Sequence, residues 1–124
     1  MKVSKDKLWV RQIETGKEMV ISAIEPFTTK RLLVGNFLIA EKYLKDAVNK
    51  VRKNNLFSPS PIFVMQPLEM YEGGLSDVEE RVLRELALGA GGRDAVIWNG
   101  HELSDNEVME QAKKRITRQS RPTR

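Results

Sequence analysis

Two short apolar runs separated by an amphipathic segment constrain this chain more than any other feature. The runs are residues 62–65 (IFVM) and 95–98 (AVIW). A strand that is apolar on both faces is usually a central strand of a parallel sheet. Apolar residues recur at helical spacing between the two runs, over residues 76–88. The order strand, helix, strand therefore predicts two parallel strands joined by a right-handed crossover.

The helix between the runs has clear start and stop signals. Ser76 and Glu79 have the spacing of a capping box, in which both side chains satisfy free amides of the first turn. The predicted buried stripe consists of Val78, Val82, Leu83 and Leu86. Three glycines follow and supply the left-handed residue that commonly ends a helix, namely Gly89, Gly91 and Gly92.

The rest of the chain supplies a hairpin and two more helices. Residues 7–13 and 18–24 are strand-like and flank a turn with Gly16, and residues 1–4 are a candidate for an earlier strand. A helix is predicted from Asn36, its cap, to residues 54–55. Its apolar positions are Phe37, Ala40, Leu44, Ala47, Val48 and Val51. A second capping box begins the last helix, formed by Ser104 and Glu107 with Val108, Met109, Ala112 and Ile116 facing inward.

This succession predicts an α/β protein with a mixed sheet. An N-terminal antiparallel hairpin is followed by helix, strand, helix, strand and helix, with the helices packed on the sheet. The succession is that of the ribonuclease H-like fold, which also forms each half of the actin-like ATPases. We expect residues 1–112 to form one domain and residues 113–124 to form a basic, flexible tail.

Composition excludes several classes of site. The 124 residues include no cysteine, which rules out disulfides, thiolate zinc sites and a cysteine nucleophile. One histidine, His101, disfavours a histidine-based metal site. No apolar run approaches the roughly 20 residues needed to cross a bilayer, and residues 1–10 lack the apolar core of a secretory signal. We therefore expect a cytoplasmic protein.

The positive charge of the chain is concentrated at its C-terminal end. Of the 21 basic residues six lie in residues 111–124, which contain no acid. These candidate interaction residues are Lys113, Lys114, Arg115, Arg118, Arg121 and Arg124. Such a segment either contacts phosphates of nucleic acid or anionic lipid, or is a solvated extension. It has no aromatic residue for base stacking.

Residues 56–100 resemble the central part of the first domain of MreB-type bacterial actin homologues. In that family a strand ending in Val-Pro leads to a "T-x-V-E-x-R" helix start, an "A-G-A" helix end and a strand of the "EVFLIEEP" kind. The counterparts here are residues 65–67 (MQP), 76–81 (SDVEER), 89–91 (GAG) and 94–98 (DAVIW). Small enterobacterial proteins of the YjaA type are more similar still, since they share the "LEMxEGGLSxVEER" segment and nearly the same length.

Departures from the actin-like pattern argue against nucleotide hydrolysis. Actin-like ATPases hold phosphate and metal with an Asp-x-Gly-Thr loop on the first strand and a second glycine-rich loop in the other domain. Neither loop is present in this sequence, so no paired amides are available to clamp a triphosphate. We therefore expect no catalytic residue, no cofactor and no metal.

Individual residues with a catalytic appearance have structural interpretations. The MreB resemblance implies that Glu79 helps to orient an attacking water, but the capping box explains it. Gly73-Gly74 lack the lysine and spacing of a phosphate-binding loop. Glu69 and Glu72 are expected to be solvated loop residues, and His101 a surface residue. The aromatic residues Trp9, Tyr43, Phe63 and Trp98 are expected in the core.

Three functional hypotheses follow. The preferred one is a non-enzymatic protein-interaction or regulatory protein, derived from an actin-like half-domain. It would bind a protein partner or a second copy through a sheet edge, at the hairpin or at the Trp98 strand. The first alternative is nucleic-acid or anionic-surface binding through the tail. The second alternative is a degenerate nucleotide-binding domain that needs a separate second half.

Overall fold

The computed structural model describes residues 1–29, 33–52, 60–69 and 75–120, and for residues 117–120 it describes the backbone alone. This part of the chain contains five strands and three helices. In chain order they are β1 (Lys2–Ser4), β2 (Lys7–Arg11), β3 (Glu18–Ser22), α1 (Phe37–Val51), β4 (Ile62–Pro67), α2 (Asp77–Gly89), β5 (Asp94–Ile97) and α3 (Asp105–Ser120).

The strands form one mixed sheet in the order β3-β2-β1-β4-β5. The pairs β1/β2 and β2/β3 are antiparallel, whereas β1/β4 and β4/β5 are parallel. Strand β4 thus lies between two parallel neighbours, as its unbroken apolar run predicted. The α/β class, the mixed sheet and the predicted order of elements are confirmed, including the short first strand.

Tight turns close the antiparallel part of the sheet. Asp6, between β1 and β2, has a positive φ of 52°, and its Oδ1 accepts bonds from the backbone amides of Phe27 and Thr28, both at 2.8 Å. Between β2 and β3, Gly16 has a φ of 74°. Glycine adopts a positive φ at little cost, and aspartate does so more readily than most other residues.

The core lies between the sheet and the pair α1 and α2. The register places Val3 opposite Leu8, and Phe63 opposite Ala95, so that these side chains share one face. Leu44 of α1 and Leu86 of α2 are fully buried against this face. Helix α3 lies against β4 and β5. The amphipathic stripes of all three helices are thereby used in packing.

Details of the helices differ from the sequence predictions. Asn36 caps α1 by position, but its side chain makes no capping bond and donates instead to the carbonyl of Pro26. Helix α1 ends at Val51, and residues 54–55 lie outside the described residues. Val78 was predicted to be buried and is 64% exposed. It lies five residues before Leu83, which is about 140° around a helix, so it faces away from the sheet.

Helix α3 runs without a break from Asp105 to Ser120, across the predicted boundary at residue 112. A tertiary contact accompanies this continuation. Arg115, in the predicted tail, binds Asp94 of β5, with Nε and Oδ2 2.6 Å apart. Tertiary contacts supply most of the stability of a helix in a protein. The contact of Arg115 with Asp94 therefore helps α3 to continue through a segment whose composition suggested a solvated extension.

Candidate interaction surface

Strand β3 is an outer strand of the sheet, and two hydrogen bonds reveal how its backbone is oriented. The amide of Gln12 donates to the carbonyl of Lys17 at 2.9 Å, and the amide of Ala23 donates to the carbonyl of Asp6 at 2.8 Å. Both pairs belong to the same antiparallel register. They identify the hydrogen-bonded pairs of the β2/β3 ladder, which alternate with pairs that exchange no bond.

The alternation leaves three residues of β3 with backbone groups that point outward. Glu18, Val20 and Ser22 belong to the pairs that exchange no bond with β2. Their N–H and C=O groups therefore point away from β2, towards the open edge of the sheet. A row of this kind is a template for pairing with another strand. We call this row, Glu18, Val20 and Ser22, the β3 edge.

Apolar side chains accompany the β3 edge. Val20 is 50% exposed, and Ile24, just beyond the strand, is 93% exposed. Val20 lies opposite Trp9 in the register, on the face of the sheet away from α1. Trp9 is half-buried there, with the ammonium of Lys7 5.2 Å from its ring centroid. The prediction that Trp9 is a core residue is therefore wrong.

Trp9 remains accessible because α3 covers one half of that face. Within the described ranges the backbone of α3 packs against β4 and β5. Two side-chain contacts link this region to the antiparallel strands: Asp105 of α3 binds Arg11 of β2 at 2.9 Å, and Glu102, just before α3, lies 3.8 Å from Lys2 of β1. The Trp9–Val20 pair thus forms an apolar strip, open to solvent, beside the β3 edge.

The opposite edge of the sheet is occupied by charged side chains. Asp94 of β5 is 9% exposed and binds both Arg84 and Arg115. Nη1 of Arg84 also donates to the carbonyl of Ala95 at 2.8 Å. Charged groups on a short edge strand disfavour pairing with another chain. Of the two edges predicted to bind a partner, β3 is the more open.

Carboxylates near the carboxyl ends of β1 and β4 are used within the fold. Glu69 accepts bonds from the hydroxyl of Ser4 at 2.5 Å and from the backbone amide of Lys5. These two bonds lower the pKa of Glu69, and the bond from Ser4 has the larger effect. The amide of Glu79 donates to Ser76 Oγ at 3.2 Å, as the capping box predicted, while the Glu79 carboxylate accepts from the Ser76 hydroxyl at 2.9 Å. Across the described part of the chain, no group of three or more metal-ligating side chains occurs.

The loop before α3 is held by Gln66, which sequence reasoning missed. Gln66 is 3% exposed, and its Nε2 donates to the carbonyl of His101 at 2.6 Å while its Oε1 accepts from the amide of Leu103. A single amide within the apolar run of β4 was the available signal. His101 is exposed as predicted and binds Glu107 at 2.6 Å, which lowers the pKa of Glu107.

The predicted basic cluster is divided by the fold. Lys113 and Lys114 are exposed on α3, whereas Arg115 is half-buried against Asp94. Arg118 lies in α3, where the backbone alone is described, and Arg121 and Arg124 lie outside the described residues. Gly73, Gly74 and Glu72 also lie outside them.

A cavity of about 210 Å³ lies at the end of the sheet away from Glu69. It is lined mainly by apolar side chains, among them Val51, Phe63 and Met109, with Arg52 and Lys113 among its charged groups. It is separate from the β3 edge. Among the helices described, none combines the length and apolar character needed to cross a bilayer.

The fold and surface of the described residues define an α/β protein with a mixed five-stranded sheet that is most open at its β3 edge. The chain is 38% identical over 95 residues to the uncharacterized protein YjaA of Escherichia coli K12. This match covers 73% of each of the two chains. The chain belongs to the YjaA family. No protein-family profile and no solved structure matches it.

A second similarity covers a smaller part of a larger protein. The chain is 35% identical over 78 residues to the cell shape-determining protein MreB of E. coli K12, and equally to MreB of Salmonella typhimurium. The matched segment covers 62% of this chain and 20% of MreB. The chain therefore corresponds to about a fifth of the length of MreB.

Proposed function

We propose that this protein is a non-enzymatic protein-interaction or regulatory protein of the cytoplasm, and that it binds a protein partner through the β3 edge. The observation that carries the proposal is the outward row of backbone groups on β3, together with Val20 at 50% exposure. Addition of a strand to an exposed sheet edge is a common mode of protein recognition, in which main-chain bonds supply affinity.

The proposal includes a ribonuclease H-like fold, as in one half of an actin-like ATPase. Two observations support this part. The order of elements is the one expected for that fold, with an antiparallel hairpin before alternating helices and strands. The similarity to MreB covers 62% of the chain, which supports a common origin of this chain and part of that protein.

The non-enzymatic part of the proposal is supported by how the polar groups are used. Glu69 bonds to Ser4 and Lys5, and Asp6 bonds to Phe27 and Thr28. Glu79 serves the cap of α2. A group that acts on substrate needs a site that it can reach, whereas these carboxylates stabilise turns and a helix terminus.

The test compares the proteins captured by the wild type and two variants from native lysate. In Val20→Pro the outward N–H is removed, which blocks strand addition, and no bond to β2 is lost. Val20→Thr is the matched control, since it keeps the amide and the β-branched shape. We expect Val20→Pro to lose specific partners that Val20→Thr retains. Equal capture by all three proteins, together with a monomeric wild type, would contradict the role of the β3 edge.

A separate measurement addresses nucleotide binding by the chain on its own. Calorimetry with ATP and magnesium should give no binding heat, because the phosphate-clamping loops of actin-like ATPases are missing from the sequence. Binding at micromolar affinity would overturn this part of the proposal and favour a degenerate nucleotide-binding domain.

A second candidate function is contact with nucleic acid or an anionic surface through the basic end of α3. The exposure of Lys113 and Lys114 on one helix favours it, since cations on a regular scaffold can contact successive phosphates. The engagement of Arg115 by Asp94 reduces the number of cations available. This function could coexist with a protein interaction at the β3 edge.

A further inference from the structure

The β3 edge is complementary to itself under a two-fold axis. If two copies meet with their β3 strands antiparallel and Val20 opposite Val20, Glu18 of each copy lies opposite Ser22 of the other. The groups that point outward belong to these same three residues. Each pair that these three residues form across the axis is therefore a hydrogen-bonded pair, and the contact is isologous.

Side chains agree with this register. Trp9 and Val20 are neighbours on the open face, so the axis would join the two apolar strips into one row, Trp9–Val20–Val20–Trp9. Aromatic and β-branched neighbours across strands stabilise a sheet. Val20, now 50% exposed, would be covered by its own counterpart.

Charges in the flanking rows are also compatible. Across the axis the row reads Lys7–Ser22–Glu18–Arg11, where the last two residues belong to the second copy. The carboxylate of Glu18 would lie between the hydroxyl of Ser22 and its own Arg11, and no like charges are directly opposed. Ile24, 93% exposed, would approach the hairpin turn of the second copy, where Gly16 has no side chain to obstruct it.

We propose that the partner at the β3 edge is a second copy of this chain, paired antiparallel about Val20 to give a continuous ten-stranded sheet. This inference rests on the proposed function and specifies it. A foreign strand could pair with the β3 edge through main-chain bonds alone. A second copy would in addition match the side chains of residues 18, 20 and 22 with their own counterparts, as described above.

Multi-angle light scattering with gel filtration, over a wide range of concentrations, tests the oligomeric state. We expect the wild type to have twice the 14.2 kDa mass of the chain. Val20→Lys should be monomeric, because it places two ammonium groups opposite each other on the axis. Val78→Lys is the matched control, since it makes the same change at a 64% exposed valine of α2, and it should remain dimeric.

The register is tested by a single cysteine, which is unambiguous in a chain that has none. Residues that face each other in a hydrogen-bonded antiparallel pair have Cα atoms about 5.5 Å apart, within the range of a disulfide. Val20→Cys should therefore form a covalent dimer under mild oxidation, and Val78→Cys should not.

The outcomes separate this inference from the proposed function. A monomeric wild type, or a dimer that survives Val20→Lys, would overturn the inference. If the wild type is monomeric while Val20→Pro still abolishes the capture of other proteins, a foreign partner occupies the edge and the proposed function remains. If the wild type is monomeric and Val20→Pro has no effect on capture, both are wrong.

Discussion

The carboxylate of Asp94 is shared between two arginines, and its shortest contact is with Arg115, 2.6 Å from Oδ2 to Nε. Asp94 is 9% exposed and lies at the start of β5, whereas Arg115 lies 21 residues later in α3. The contact holds the last helix against the edge of the sheet. An arginine that composition assigns to a solvated tail is thus part of the tertiary structure.

Loss of this contact should destabilise the fold. We expect Arg115→Met to lower the free energy of unfolding by about 2 kcal/mol, less than for a fully buried pair because Arg84 still binds Asp94. Lys114→Met, at an exposed neighbour, should change it by no more than about 0.5 kcal/mol. Urea denaturation measures both variants. Equal stabilities would show that the Arg115 contact contributes nothing.

Gln66 should be needed for the loop that precedes α3. In Gln66→Leu the carbonyl of His101 and the amide of Leu103 lose their partner, at a cost of about 2 kcal/mol. Gln12→Leu, a glutamine in the hairpin, is the control. Hydrogen exchange gives a local readout, since the amide of Leu103 should exchange faster in the Gln66 variant. Unchanged protection at Leu103 would contradict this role.

Ser76 and Glu79 should differ in their response to substitution. Ser76→Ala removes the acceptor of the Glu79 amide and should cost about 1 kcal/mol of stability. Glu79→Gln should be nearly neutral, because glutamine also serves at this position of a capping box. Thermal unfolding distinguishes the two variants. A larger loss for Glu79→Gln would indicate that its charge has a further role.

Stability should depend on pH through Glu69. Its hydrogen bonds lower its pKa below the ordinary value of 4.5, so the folded state binds this proton less readily than the unfolded state. The resulting stabilisation is present above pH 4.5 and is lost as the pH falls through the lowered pKa. Denaturant titrations from neutral to acidic pH should therefore show the advantage of wild type over Glu69→Gln disappearing in acid.

Ser4→Ala is the companion variant for Glu69, because the Ser4 hydroxyl is the main cause of the lowered pKa. It should reproduce part of the change in the pH profile. If the wild type remained more stable than Glu69→Gln by the same amount in acid, the fold would not stabilise the carboxylate form of Glu69.

The basic end of α3 is best tested without truncation, because a chain cut at residue 112 would also lose Arg115 and its bond to Asp94. The double variant Lys113→Gln/Lys114→Gln leaves that bond in place. If α3 binds duplex DNA, the variant should bind more weakly, and the slope of log affinity against log salt should fall by about two. Fluorescence anisotropy measures both. No binding by the wild type, or identical slopes, would remove this candidate.

Much of the fold could be predicted because its signals are local. The two capping boxes, at Ser76 and Ser104, fix where α2 and α3 begin through bonds within four residues. The unbroken apolar run of β4 predicted a central parallel strand. Resemblance to YjaA-type proteins and to MreB was also available from the residues alone, and both similarities are confirmed.

The sequence by itself thus determined the type and order of the elements, since helix caps, turns and apolar periodicity act over a few residues. Only the tertiary structure decided which strand is exposed, where Trp9 lies and which cation Asp94 binds. These features depend on contacts between residues far apart in the chain. The pairing of β1 with β4, across some sixty residues, places β3 at an open edge, and no local pattern specifies that pairing.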